Sequence, residues 1–173
     1  SELAKTLGRY SIQDPEIVKV IKYLSRNNWE IGLHGSFDSY NEMDLMSSEK
    51  NALEQITGSN IIGIRQHWLN LNIPKTWKIQ KSLKLKYDCS YMDNKQMGFK
   101  SNIYYPFRPF NDSFVVFPTV IMDTYLFQLF KKPREALKAC LQLMDICEKK
   151  NTFLTILWHQ RVFNKYDFPY HNV

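Results

Sequence analysis

The chain has 173 residues, 44% hydrophobic and 14% aromatic, which allows one domain with a real core and leaves too little for two comfortable ones. Its 23 basic and 17 acidic residues give a net charge of +6, which suits an anionic ligand or a nucleic acid, although lysines spread over a solvated surface give the same sum. The longest apolar runs, such as SFVVFPTVIM, fall well short of the roughly 20 residues that a membrane span requires, and the first residues hold no signal-peptide core.

Three cysteines, Cys89, Cys140 and Cys147, cannot all pair, and none stands in a CxxC spacing. They read as reduced thiols. With no signal segment in view, they favour a cytoplasmic location.

In chain order, DPEIVKVIKYLSRNN predicts a helix with Asp14 as N-cap and Pro15 at its first position. The run WEIGLHGS (29–36) predicts a strand, and SSEKNALEQITGSN a helix closed by Gly58. A second strand is expected in IIGIRQHWL (61–69), then a helix from Pro74 and a third strand in LKYDCSYM (85–92). Residues 94–113 have no clear period and predict a long loop or a short antiparallel excursion. A fourth strand follows in FVVFPTVIM (114–122). The helix KKPREALKACLQLMDICEKKN comes next, with Ala136, Leu137, Cys140, Leu141, Met144 and Ile146 to Cys147 near helical spacing, and FLTILWHQ (153–160) closes the series. Alternating strands and helices predict parallel pairing with helical crossovers, as an open sheet or a (β/α) barrel.

In such folds ligands bind at the carboxyl ends of the strands. The unusual polar residues fall there: His34 closing the first strand, Arg65 and His67 late in the second, Asp88 and Ser90 in the third, Asp123 after the fourth and His159 at the end of the fifth. Each alone reads more often as a satisfied structural group than as part of a site. Together they favour a site, because a charged or polar group buried at a strand end costs desolvation energy.

The strings EIGLHGSFDSY, GIRQHWLN, YDCSYMDNKQMGFKSNIYYPFRPF, IMDTYLF and LTILWHQRVFN resemble, in order and spacing, the divergent polysaccharide deacetylases of the NodB-like carbohydrate esterase group, from about Tyr10 to Pro169. The resemblance implies a distorted (β/α) barrel with fewer strands than a full one, and a divalent metal, usually zinc, that activates water against an acetyl group. It implies that His34 is a metal ligand and that Asp38 stands where the family has its second histidine; His67 is a possible replacement ligand or a hydrogen-bonded strand residue. It further implies that Arg65 orients the base, that Asp88 holds and tunes His159, and that His159 is the general acid. Trp68, Tyr91 and Phe107 are then candidates for the apolar wall that accepts the acetyl methyl and a sugar face, or for plain core.

The family's first strand, with two adjacent aspartates, has no counterpart before Asp14. Residues 1–173 therefore read as a single deacetylase-like domain, truncated or lacking its catalytic strand. The expected function is a metal-dependent deacetylase of an N- or O-acetylated sugar in a surface polysaccharide. The alternative is an inactive relative that binds carbohydrate through aromatics such as Trp68, Tyr104, Tyr105 and Phe107. A nucleic-acid binder is disfavoured, because the basic residues are scattered.

Overall fold

The computed structural model describes residues 11–93 and 96–163; the outer ends of the resemblance, before residue 11 and after 163, lie outside the described residues. The described residues gather into two compact units, one running through Ser90 and including Arg108–Val116, the other comprising Tyr91–Phe107 and the chain from Phe117 onward.

In the first unit, helix α1 (Pro15–Arg26) precedes strand β1 (Leu33–Gly35), helix α2 (Met43–Thr57), strand β2 (Gly63–Gln66), helix α3 (Lys75–Ser82) and strand β3 (Tyr87–Asp88), with strand β4 (Val115–Val116) completing the sheet. Pro15 opens α1 as expected, because its missing N–H is an orphan there anyway. Asp14 does not cap the helix with its side chain; its carboxylate accepts the Ser11 N–H at 2.8 Å. Helix α2 starts earlier than its polar run suggested and stops at Gly58, whose left-handed φ of 68° glycine adopts without steric cost.

The sheet order is β1-β2-β3-β4, with every pair parallel. Leu33 lies beside Ile64, Ile64 beside Asp88, and Asp88 beside Val116, so these residues share one face. Helices α2 and α3 cover that face, with Met46, Leu53 and Ile79 meeting Leu33 and Ile64 in the core. Each fully buried side chain of this kind contributes about 1.5–3 kcal/mol. The opposite face carries the register partners His34 and Arg65, and Gly63 beside Tyr87. The sheet therefore has one covered apolar face and one polar face.

In the second unit, strand β5 (Thr119–Met122) leads through helix α4 (Asp123–Leu129) and helix α5 (Pro133–Lys150) to strand β6 (Thr155–Leu157). β5 and β6 are parallel, with a register shift between Thr119 and Ile121. The single strand expected over 114–122 is thus two strands in two sheets, separated at Phe117 and Pro118. Proline has no N–H to continue a ladder. Preceding β5, the described part of residues 94–107 includes the turn Lys100–Asn102, and Gly98 N–H donates to the Val120 carbonyl of β5 at 2.8 Å.

The inward face of α5 also differs from the expected one. Ala136 and Cys147 are buried and Ala139, Cys140 and Leu143 half-buried, whereas Leu137, Leu141 and Met144 are exposed. Spacings of three and four fit both sets, and packing selects one. Among the described residues no helix is long and apolar enough to cross a membrane.

Candidate functional sites at the strand ends

In the first unit the loops after β1 and β2 bring two histidines together. His34 lies in the three-residue β1, and His67 begins the short turn His67–Leu69 that follows β2. His34 Nε2 and His67 Nδ1 stand 3.2 Å apart with the rings nearly perpendicular, at 86°. Two nitrogens bound to one tetrahedral zinc are separated by about 3.3 Å, from Zn–N bonds of 2.0–2.1 Å. The pair therefore fits as two ligands of such an ion.

Asp38 lies exposed in the loop after β1. Among the described residues no group of three or more His, Cys, Asp or Glu side chains is placed to hold a metal ion, so Asp38 does not join the two histidines in one. The three expected ligands are brought together only in part.

Trp68 and Leu69 both adopt left-handed backbone, with φ of 57° and 55°. For bulky residues this is a strained conformation, costing of order 1 kcal/mol or more each. It leaves Trp68 63% exposed while Leu69 is buried. Phe37 packs edge-on against both His67 and Trp68, and Asn70 Nδ2 donates to the Phe37 carbonyl at 3.2 Å. The two loops are stitched together at the aromatic cluster.

Beneath them lies a buried polar layer. Gln66 donates its backbone N–H to Ser90 Oγ at 2.8 Å, and Ser39 Oγ donates to Gln66 Oε1 at 3.0 Å. Ser90 in turn donates its hydroxyl to Asp88 Oδ2 and its N–H to Asp88 Oδ1, both at 2.8 Å. Gln80 of α3 adds a bond to Asp88 Oδ2 at 2.8 Å. A Cβ on Gly35 would collide with Ser39 Oγ and Gln66 Oε1, so the layer approaches β1 as closely as glycine allows. Burial pushes the Asp88 carboxyl above its usual range, outweighing its bonds from Ser90, Gln80 and Trp77. Asp88 thus belongs to the covered face.

Arg65 is half-buried on the polar face and donates from Nε to the Cys89 carbonyl at 3.1 Å. Among the described residues no carboxylate forms an ion pair with it.

In the second unit His159 follows β6, and Asp123 directly follows β5. Because the strands are parallel neighbours, their carboxyl ends adjoin. His159 Nδ1 lies 2.7 Å from Asp123 Oδ1, and the His159 backbone N–H donates to Asp123 Oδ2 at 2.6 Å. Burial acts to raise the Asp123 carboxyl, but the His159 ring and the backbone N–H groups of His159 and Thr124 outweigh it and hold the carboxyl below its ordinary value. The carboxylate on His159 is therefore Asp123, where the resemblance put Asp88. With Asp123 at Nδ1, Nε2 remains as the nitrogen that can exchange a proton with a ligand.

Tyr91 and Phe107 meet edge to face at 5.5 Å. Lys100 sits over the Tyr91 ring at 4.8 Å, and Lys150 over Tyr104 at 4.0 Å. Tyr105 donates its hydroxyl to the Lys150 carbonyl at 2.9 Å. These contacts give Tyr91, Tyr104 and Tyr105 packing roles within the unit.

The sequence reading did not identify Gln66, Ser39 and Gln80 as parts of the polar layer, nor Asp123 as the partner of His159. Asp123 carried a signal, since it is an acidic residue at the end of an apolar run. Gln66 and Gln80 carried none.

No protein-family model matches the chain, and no curated protein sequence does. Solved structures do. A crystal structure of a candidate polysaccharide deacetylase from Mycobacterium smegmatis is 19% identical, with a TM-score of 0.60 over 83% of this chain and 53% of that one. An allantoinase structure is 18% identical, with a TM-score of 0.53 over 83% of this chain and 49% of that one. The chain spans about half the length of these structures. The fold is α/β with parallel strands, of the kind that these proteins share.

Proposed function

We propose that the chain serves a metal-dependent deacetylase acting on an N- or O-acetylated sugar of a polysaccharide. The observation that carries this reading is the Asp123–His159 pair: a carboxylate fixes Nδ1 and leaves Nε2 to donate a proton. The likeness in fold to a candidate polysaccharide deacetylase supports the substrate class.

His34 and His67 would hold the metal, whose chemistry when bound is Lewis-acid polarisation of the acetyl carbonyl and activation of water. In the second unit, Asp123 fixes His159 Nδ1 and leaves Nε2 as the nitrogen suited to act as the general acid. Trp68 offers an exposed indole to a sugar face. That exposure also supports a second reading, sugar binding without hydrolysis.

The deciding experiment measures acetate released from N-acetylated and O-acetylated glycans, with zinc and with chelator, alongside metal content of the wild type and His34→Ala. Chelator-sensitive acetate release and about one zinc per chain, lost in His34→Ala, are expected. Glycan binding without acetate release or bound metal would leave the second reading.

A further inference from the structure

Helix α5 has two apolar faces, and its own unit covers one of them. Ala136 and Cys147 are buried on the inward side, with Ala139, Cys140 and Leu143 half-buried beside them. On the other side Leu137, Leu141 and Met144 are 60%, 49% and 48% exposed. Their spacing of four and then three sets them in one row along the helix, the pattern of a seam between two packed helices. Large apolar side chains exposed in a row are stabilised when a second surface removes them from water.

The charges beside that row say which surface fits. Arg134 and Lys138 lie exposed in the amino-terminal half of the helix, and Asp145 and Glu148 in its carboxyl-terminal half. Glu135, the acid of the first half, is engaged by Lys132 at 3.4 Å, and Lys150, in the last turn, lies over the Tyr104 ring at 4.0 Å. The exposed row is therefore flanked by base at one end and by acid at the other. A copy of the same helix, turned end for end about Leu141, presents the opposite order. Leu137 then meets Met144 of the second copy, Lys138 meets its Asp145 and Arg134 meets its Glu148, while Lys149 falls opposite Pro133 at the edge of the contact.

We propose that this face of α5 binds the same face of a second copy, antiparallel, so that the protein forms a two-fold dimer. The inference is independent of the sugar chemistry. A two-fold axis at Leu141 sets that residue against itself and makes every charge pair occur twice. An antiparallel contact between helices of about five turns lies at the small end of specific interfaces, so micromolar association is expected.

The test is sedimentation velocity of the full chain from low-micromolar to sub-millimolar concentration. The wild type should pass from monomer to dimer as concentration rises, and high salt should weaken the dimer. Leu141→Asp should weaken it by at least about tenfold, a difference of about 1.4 kcal/mol, because two carboxylates then meet on the axis. Lys138→Glu and Asp145→Lys should each weaken it, and the double variant Lys138→Glu/Asp145→Lys should restore it. All three positions are exposed, so circular dichroism should show each variant folded.

A chain that stays monomeric at every concentration would overturn the proposal and leave the face to a different partner. A dimer indifferent to Leu141→Asp would overturn it too, since the copies would then meet through another surface. Single charge reversals that disrupt the dimer, with no rescue in the double variant, would rule out the antiparallel pairing on which the proposal stands.

Discussion

Asp88 and Asp123 make an instructive pair. Each stands at the carboxyl end of a parallel strand, one in each unit, and each is fully buried. Their ionisation nevertheless moves in opposite directions. Asp88 is met by hydroxyl, amide and indole donors, and burial wins, so its carboxyl is raised. Asp123 faces the same penalty, but a histidine ring and two backbone N–H groups reverse it. Position at a strand end and depth of burial are common to both; the partner decides whether the carboxylate stores a charge or braces a loop.

The sharpest way to break this contrast is catalytic. His159→Ala should lower acetate release by about 10²–10⁴-fold, and Asp123→Asn should fall in the same range, because each removes the oriented acid. Asp88→Asn should cost less than about tenfold. A collapse of activity in Asp88→Asn, with circular dichroism unchanged, would mean that the polar layer handles protons after all.

Stability should reverse the ranking. Asp88→Ala strands the Ser90 N–H and hydroxyl and the Gln80 amide in the interior, and should cost about 3 kcal/mol in urea unfolding, since each buried unsatisfied group costs roughly 1–3 kcal/mol. Asp123→Asn should cost less, because its amide can still accept one of the bonds.

The smallest effect lies in the pH dependence. Asp123 has a lowered folded value, so its contribution to stability is full above about pH 4, the unfolded value, and is lost as pH falls through the lowered one. Asp88 has a raised value, so its contribution is full below about pH 4 and is lost as pH rises towards the raised one. Urea unfolding across pH 2.5–7 should show a flatter acid limb in Asp123→Asn and a flatter limb above about pH 4 in Asp88→Asn. Identical limbs in both variants would dissolve the distinction.

The α/β order was legible in the sequence because hydrophobic runs and helix periodicity report burial locally. Pro15 and Gly58 marked helix ends because they act on the backbone at their own positions. The break at Phe117 and Pro118 was not legible, since an apolar run says nothing about which sheet it joins. The site was half legible. His34, Arg65 and His159 announce themselves as polar residues at strand ends. The pairing of His159 with Asp123, and the placement of Asp88 on the covered face, depend on which strands are neighbours and in what register. One step of register exchanges the two faces of a strand, and no single stretch of sequence carries that information.

Gly63 and Tyr87 show the same dependence on register in another form. They lie side by side on β2 and β3, and a Cβ at Gly63 would overlap the Tyr87 ring. The two positions are thus coupled: a side chain at 63 requires the Tyr87 ring to swing away or to become smaller. Among natural relatives of this chain, glycine at the first position and an aromatic ring at the second should be gained and lost together.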